Sequence, residues 1–296
     1  MATTKYLIGV DVGATKIAAG LVFGKKVIKI IKIPTQTNKG KKTILNNIIA
    51  AIKKIYHPKV LKIGIGITGQ IDQKKGMVIS SPNLPKNFKN VRLAEIIQKK
   101  FKKPVKIEND VNCFTLAESI WGAGKKYNYV IGVTLGTGVG GGIVINKKIY
   151  LGRNGWAGEF GHMTIVANGL KCSCGQRGHL EAYTAGPAMI KLYKKLTGKT
   201  LDTLAIEEKY KLGEKAAKQT FKQISGYLAL GLVNLINTLN PDIIVLGGGL
   251  AKVSFYVKPA ISSAKVLVFS SKLKSTKIVQ SQLKEKAAIL GATLIS

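Results

Sequence analysis

Apolar residues in this chain fall into short runs of strand length, which alternate with longer segments whose apolar residues have helical spacing. Strands are predicted at 6–11, 16–23, 27–33, 62–67, 105–108, 129–135, 143–145 and 242–246. Helices are predicted at about 41–55, 92–101, 111–121, 214–240 and 287–294. Strands and helices that alternate in this way indicate an α/β architecture.

An internal repeat lies within this pattern. The segment 7–14 aligns with 130–137, and Ile, Gly, Val and the turn Gly are identical in the two copies. Each copy predicts a strand, a tight glycine turn and a strand that returns. The repeat therefore predicts a duplicated domain with a cleft between the halves, where ligands commonly bind. The alternative is chance, because apolar strands followed by glycine are common.

Two glycine-rich turns, at 64–69 and 136–142, contain the spacing G-x-G-x-x-G. A dinucleotide-binding turn must open a helix, whereas these segments continue into a turn and a strand. Such a turn can still present backbone N–H groups to phosphate oxygens. Asp11 offers a carboxylate for Mg²⁺, and a third glycine cluster begins at Gly247. We therefore favour nucleotide phosphate binding over plain structural hairpins.

Composition narrows the class of protein. Hydrophobic residues make up 46% of the 296 residues, enough for a substantial core, and charges or glycines break every long apolar run. The strand-like pattern begins near the N-terminus and leaves no room for a signal peptide. Three cysteines cannot form a complete disulfide framework. We expect a soluble, cytoplasmic protein without a membrane partner.

The formal net charge is +33, which suits a polyanionic partner or reflects compositional drift. Only three of the 47 basic residues are arginines, and the lysines are spread over the whole chain. Arginine is the usual reader of guanine edges. We therefore expect a solvated lysine surface that attracts anions such as ATP, without a specific nucleic-acid site.

A predicted loop-rich region at 151–181 holds a potential metal site. His162, Cys172, Cys174 and His179 fall within 18 positions and include two of the three histidines and two of the three cysteines. Two thiolates and two imidazoles suit tetrahedral zinc in a structural role. The alternative is a pair of reduced cysteines and two histidines without metal.

Several motifs follow one another in the order found in a known family. The segments are 9–17, 108–112, 135–144, 156–162, 172–181 and 241–249. Together they resemble ROK-family sugar kinases, which share the wider fold of hexokinase, actin and the heat-shock ATPases. The resemblance implies two ribonuclease-H-like (actin-like ATPase) domains with an active-site cleft between them. We place one domain at 1–113 plus about 284–296, and the other at 114–283.

The resemblance also implies roles for individual residues. Asp110 would be the catalytic base, and Asp11 would act on Mg²⁺ through water. The sugar would be bound by Gly69, Asn83, Asn109, Asp110, Glu159, His162 and Glu181. ATP and its phosphates would be bound by Asp11, Gly13, Ala14, Thr15, Lys16, Gly136, Thr137, Gly138, Gly247, Gly248 and Gly249. Without the motif, Asp110 reads equally well as a helix N-cap.

Two positions depart from the family pattern. His179 stands where the family usually has a third cysteine, and Thr68 stands where it usually has proline. The expected activity is transfer of phosphate from Mg-ATP to a hexose, with glucose as the leading acceptor. N-acetylmannosamine, fructose, mannose and allose remain alternative acceptors, and polyphosphate is an alternative donor. A sugar-responsive repressor is the alternative outside catalysis, and we expect a homodimer or homotetramer.

Overall fold

A computed structural model of the chain describes residues 5–295. Its first part contains the segments β1 Tyr6–Val12, β2 Lys16–Phe23, β3 Lys26–Pro34, α1 Gly40–Ile55, β4 Val60–Ile67, β5 Gln70–Asp72, β6 Met77–Ser80, α2 Leu93–Phe101, β7 Val105–Asn109 and α3 Asp110–Trp121. The second part contains β8 Tyr129–Leu135, β9 Val139–Ile145, β10 Lys148–Ile149, α4 Glu181–Thr184, α5 Gly186–Thr197, α6 Thr203–Lys211, α7 Lys215–Leu239, β11 Ile243–Gly247, α8 Ser254–Leu267, β12 Lys277–Gln280 and α9 Ala287–Leu294. No helix within residues 5–295 is both long and apolar enough to cross a bilayer.

Two five-stranded sheets share one plan. Their strand orders are β3-β2-β1-β4-β7 and β10-β9-β8-β11-β12. In the first sheet, β1 pairs antiparallel with β2 and parallel with β4; in the second, β11 runs parallel to both β8 and β12. The common order supports the duplication that the internal repeat predicts.

The chain divides into two compact units, and the division cuts through β9. Unit 1 comprises 1–128, 142–157 and 281–296, and unit 2 comprises 129–141 and 158–280. The domain boundaries expected from the sequence stay a prediction.

In unit 1 the C-terminal helix α9 packs against the first sheet at positions without side chains. Gly9 of β1 pairs with Gly64 of β4, and a β-carbon on either glycine would collide with backbone carbonyls of α9 at Ile289 or Ala292. This close approach explains the first glycine of the motif in its first copy, Gly9. It serves helix packing, whereas Gly13 lies in the turn itself.

Two ionic groups, one buried and one half-buried, form hydrogen bonds at the C-terminal end of α3. The carboxylate of Glu118 is inaccessible to solvent and accepts hydrogen bonds from Ala123 N, Ser281 Oγ and Leu283 N at 2.6–2.9 Å. These bonds tie the segment that precedes α9 to the C-terminal end of α3. Because a buried carboxylate needs donors in place of water, the three bonds make this junction specific.

The turn between β9 and β10 supplies the second group. Lys147 has a left-handed backbone (φ 64°), and its ammonium group donates to four carbonyl oxygens at 2.6–3.2 Å. The acceptors are Ser119, Gly124, Lys125 and Tyr127. Ser119 O belongs to the last turn of α3, and the other three carbonyls belong to the segment that follows the helix, so the ammonium group ties this segment to the helix end.

Candidate active site

The carboxyl ends of three parallel strands bring most of the predicted unit 1 residues together. Val12 pairs with Ile67, and Ile67 pairs with Asn109, so β1, β4 and β7 end at one edge of the sheet. The turn after β1, the turn after β4 and the start of α3 therefore share this edge. Ligands of open α/β sheets commonly bind at the carboxyl ends of parallel strands.

The first predicted phosphate turn, at 13–16, is held tightly. Gly13 N donates to Lys16 O at 3.0 Å, and Thr35 Oγ1 donates to Gly13 O at 2.8 Å. Asp11 precedes this turn. Burial raises the pKa of its carboxyl to about 6, and the positive charge of Lys16 opposes the shift. The turn thus places a carboxylate and backbone N–H groups beside each other.

Asn109 is the N-cap of α3. Its Oδ1 accepts from Val111 N at 2.8 Å and Asn112 N at 3.2 Å, while its Nδ2 donates to Gly69 O at 3.2 Å. Asp110 is the first helical residue, and its Oδ1 accepts from Val111 N at 3.0 Å. The N-cap alternative for Asp110 is therefore wrong, since the neighbouring amide caps the helix.

The segment after β4 carries the remaining residues of unit 1 that the sequence predicts to bind the sugar. Gly69 has φ 115°, and a β-carbon there would collide with Ser80 O, so this position favours glycine. The exposed Asn83 donates through Nδ2 to Thr68 Oγ1 at 3.4 Å. Thr68 N donates to Val12 O at 3.2 Å, a bond that the proline usual at this position could not make.

Glu108 is a buried acid beside Asp110 to which the sequence pattern assigned no function. Its Oε1 accepts from Asn109 N, Asn112 Nδ2 and Gln73 Nε2 at 2.8–3.2 Å. Burial raises the pKa of its carboxyl, and the three hydrogen bonds oppose that shift. Strand alternation could not have found it, because Glu108 shares the face of the exposed Lys106 in the strand 105–109 and is nevertheless buried.

In unit 2 the second predicted phosphate turn opens onto a cavity. Gly136 N donates to Gly138 O at 3.0 Å, and Gly186 N donates to Gly136 O at 2.8 Å. The cavity has a volume of about 400 Å³ and a mostly apolar lining that includes Gly136, Thr137, Gly186, Thr203, Glu207 and Gly249. A flat apolar ring and a phosphate chain could both be accommodated at such a site.

The third glycine cluster ends β11 beside this turn. Gly248 has φ 85°, and a β-carbon there would collide with the backbone of Leu135 at the end of β8. A β-carbon at Gly249, by contrast, would meet no atom within 4 Å. Gly248 is thus required by the fold, and Gly249 leaves one wall of the cavity open.

The four predicted zinc ligands lie together in unit 2. One ligand atom from each of His162, Cys172, Cys174 and His179 falls within 4.8 Å of the others. The Sγ–Nδ1 distance is 3.7 Å from Cys172 to His162 and 3.2 Å from Cys174 to His179. Ligands of tetrahedral zinc are separated by about 3.3–3.8 Å. The donor set therefore fits zinc, and the two Sγ–Nδ1 distances lie close to that range.

Two acidic residues accompany the metal cluster. Partial removal of water raises the pKa of Glu159, even though the residue is exposed; the charge of Glu181 adds to the shift and that of His162 opposes it. The Glu181 carboxylate accepts from Ser173 Oγ through Oε1 at 2.7 Å, and from Val139 N through Oε2 at 3.0 Å. Glu181 thus joins the loop of the predicted zinc ligands to the second predicted phosphate turn, a contact that the sequence did not predict.

Comparisons with known proteins identify relatives over nearly the whole chain. A glucokinase of Thermotoga maritima is 32% identical, with 98% of this chain and 96% of that protein aligned. A xylose repressor of Bacillus spizizenii is 33% identical, with 98% of this chain and 76% of that protein aligned. Both enzymes and regulators are therefore relatives of this chain.

Among solved structures, a ROK-family glucokinase from Streptomyces griseus in complex with glucose and AMPPNP superposes with a TM-score of 0.87. It is 30% identical and aligns over 97% of this chain and 98% of its own. The match confirms the predicted class, an α/β protein of two actin-like ATPase domains. The family model "ROK family" matches residues 7–296, and the chain belongs to the ROK family.

Proposed function

We propose that this protein is an ATP-dependent hexose kinase that phosphorylates glucose. The observation that carries the proposal is the edge of the first sheet, where Asp110 begins α3 and Asn109 is hydrogen-bonded to Gly69 beside the turn at 13–16. Phosphoryl transfer requires mainly positioning and charge neutralisation, together with a base for the attacking hydroxyl. Relatives that are sugar kinases support the same assignment.

Asp110 is proposed as the general base. Its carboxylate stands at the N-terminus of α3, where the helix dipole favours the charged form that accepts a proton. Asn109 is oriented by three hydrogen bonds, so its amide is fixed beside the proposed base. We assign Gly69, Asn83, Asn109, Glu159, His162 and Glu181 to the sugar, because amides, carboxylates and imidazole pair with hydroxyl groups.

The two glycine turns are proposed to bind the phosphates, and the cavity of unit 2 the nucleoside. Asp11 is proposed to hold a water molecule of Mg²⁺, which neutralises phosphate charge when bound. His162, Cys172, Cys174 and His179 are proposed to hold zinc, which would fix the loop that carries Glu159 and Glu181.

A coupled assay of ADP release over a panel of sugars tests the proposal. Glucose, mannose, fructose, allose, N-acetylglucosamine and N-acetylmannosamine would be compared at saturating Mg-ATP, and ATP would then be compared with polyphosphate. We expect the highest kcat/KM with glucose and ATP. If a sugar binds but none of the six sugars causes ADP release, the result would contradict catalysis and favour a regulator. A higher kcat/KM for another sugar or for polyphosphate would contradict only the substrate or donor.

A further inference from the structure

We propose that Glu181 couples the zinc loop to the phosphate turn of unit 2, so that metal occupancy sets the affinity for the phosphates of ATP. The inference rests on the proposed function, because it takes ATP as the ligand of that turn. It goes further by giving the metal loop a role in nucleotide binding, in addition to the sugar binding expected of it.

The carboxylate of Glu181 has two different partners on its two oxygens. Oε2 accepts from the backbone of Val139 at 3.0 Å, and Oε1 accepts from Ser173 at 2.7 Å. Val139 follows directly on the turn formed by Gly136, Thr137 and Gly138. The bond therefore fixes the peptide plane between Gly138 and Val139, which is part of the turn that presents N–H groups.

Gly138 allows this contact. A β-carbon at Gly138 would collide with Oε2 of Glu181, so the carboxylate can reach Val139 N only because residue 138 lacks a side chain. Without the carboxylate, the N–H of Val139 would lose the acceptor that orients it. A charged acceptor forms a stronger bond than a neutral one, so its position matters for the turn.

The partner of the other oxygen, Oε1, lies among the predicted metal ligands. Ser173 lies between Cys172 and Cys174, and Glu181 lies two residues beyond His179. Cys172 Sγ is also 3.9 Å from Oε1. A metal held by these ligands would fix both the hydroxyl that binds Oε1 and the backbone from which Glu181 projects. Without the metal, both attachments become free to move, and the bond to Val139 weakens.

The substitution Ser173→Ala tests this coupling, because it removes the hydroxyl and leaves Glu181 and the four metal ligands unchanged. Binding of AMPPNP would be measured by calorimetry with excess Mg²⁺, for zinc-loaded and chelator-treated protein, and zinc content by elemental analysis. Ser275→Ala is the matched control: it removes an exposed hydroxyl of unit 2 that donates to Lys272 O at 2.7 Å. Adenosine, which lacks phosphates, serves as the second ligand.

We expect removal of zinc to weaken AMPPNP binding to the parent by about tenfold, and Ser173→Ala to weaken it by about threefold to tenfold at full zinc content. Adenosine affinity should stay within about twofold in both cases, and Ser275→Ala should match the parent. A variant that merely loosened the fold would also show a lower thermal midpoint, whereas Ser173→Ala should not.

Equal AMPPNP affinity of zinc-loaded and zinc-free parent would overturn the coupling, as would a Ser173→Ala protein that binds AMPPNP like the parent. An equal loss of affinity for adenosine and for AMPPNP would also overturn the coupling, because it would show an effect on the whole cavity and not on the phosphates. These outcomes differ from failure of the proposed function, in which the zinc-loaded parent binds no AMPPNP and phosphorylates no sugar.

Discussion

At the scale of single residues, neighbouring acids at the end of β7 differ in their surroundings. Glu108 is buried under three hydrogen bonds to one oxygen, whereas Asp110 opens a helix and is partly exposed. Burial disfavours the charged form, and a helix N-terminus favours it. The proposed base is thus the partly exposed acid that opens the helix, and Glu108 is placed to hold the segment.

The substitution Asp110→Asn should lower kcat by about 10²–10⁴ and leave the dissociation constants of sugar and ATP nearly unchanged. Asparagine keeps the shape and can still accept from Val111 N, but it cannot take the proton from the attacking hydroxyl. Steady-state kinetics and calorimetry would measure the two effects. Asp72→Asn, which changes an acid of the same unit that accepts from Lys75 N, is the control. Turnover within tenfold of the parent would show that Asp110 is not the base.

The substitution Glu108→Gln should change the dependence of stability on pH. The pKa of Glu108 is raised in the folded protein, so the unfolded chain ionises first as pH rises from about 4. Ionisation therefore lowers the free energy of unfolding of the parent up to the folded-state pKa, and the full penalty remains above it. Glutamine does not ionise, so the stability of the variant relative to the parent should increase from pH 4 to pH 8.

Urea denaturation at several pH values would measure this difference. Any constant effect of the amide on the three hydrogen bonds cancels, because only the change with pH is compared. Glu95→Gln is the control, since Lys99 and Arg92 lower the pKa of this exposed acid and its trend should have the opposite sign. A difference for Glu108→Gln that is independent of pH would contradict the interpretation.

At the scale of elements, the sequence predicted β1, β8 and α9 closely, because the two strands combine an apolar run with a clear turn and α9 is rich in alanine and leucine. The helix at 254–267 was not predicted, since Pro259 lies inside it and reads as a helix breaker. The short strands β5, β6, β10 and β12 were missed because two to four residues carry no periodicity.

For the candidate site, as for the elements, the sequence predicted features that depend on local patterns and missed those that do not. Motifs located the glycine turns, the start of α3 at Asp110 and the cluster of His162, Cys172, Cys174 and His179, since each set is local or has recognisable spacing. The contact of Glu181 with Val139 joins residues 42 positions apart, and Glu118 contacts Leu283 across 165 positions. Such pairs are set by tertiary packing, and neither the periodicity of apolar residues nor the spacing of motifs carries information about it. They could not be read from the chain alone.

The substitution Gly136→Val should weaken ATP binding by at least about tenfold without a measurable change in thermal stability. A β-carbon at Gly136 would meet no protein atom within 4 Å, and Gly136 does not have a positive φ. The β-carbon therefore has open space, and Gly136 lines the cavity that the phosphates would share. Calorimetry with ATP and a thermal melt would measure the two effects. Gly226→Val, which adds the same group at an open position of α7, is the control. ATP affinity equal to that of the parent would exclude this turn as a phosphate site.

At the scale of the whole molecule, the positive charge is unequally divided. Unit 1 holds 30 of the 47 basic residues and unit 2 holds 17, while each holds seven of the 14 acidic residues. Both predicted phosphate turns therefore belong to strongly basic units, and the excess is larger in unit 1. A field of this sign raises the local concentration of anions, the proposed donor included.

The apparent affinity for Mg-ATP should fall as salt rises from about 0.05 to 0.5 M, whereas the affinity for glucose should change little. Salt screens the attraction of the lysine surface for a charged donor and leaves a neutral sugar unaffected. Michaelis constants for both substrates over a salt series would measure the contrast. Polyphosphate, if it is accepted, should show a steeper dependence than ATP because it carries more charges. Parallel trends for ATP and glucose would show that the net charge does not assist donor binding.

The carbonyl cage around Lys147 has a consequence for the chemistry of its amine. An ammonium group that donates to four carbonyls has its protons engaged, so acylating reagents should reach it later than they reach the exposed neighbours Lys125, Lys126 and Lys148. Among 44 lysines, Lys147 is therefore suited to be a slow-reacting reference position in mass-spectrometric footprinting. Its reaction would report opening of the segment that joins α3 to β8, without an engineered probe residue.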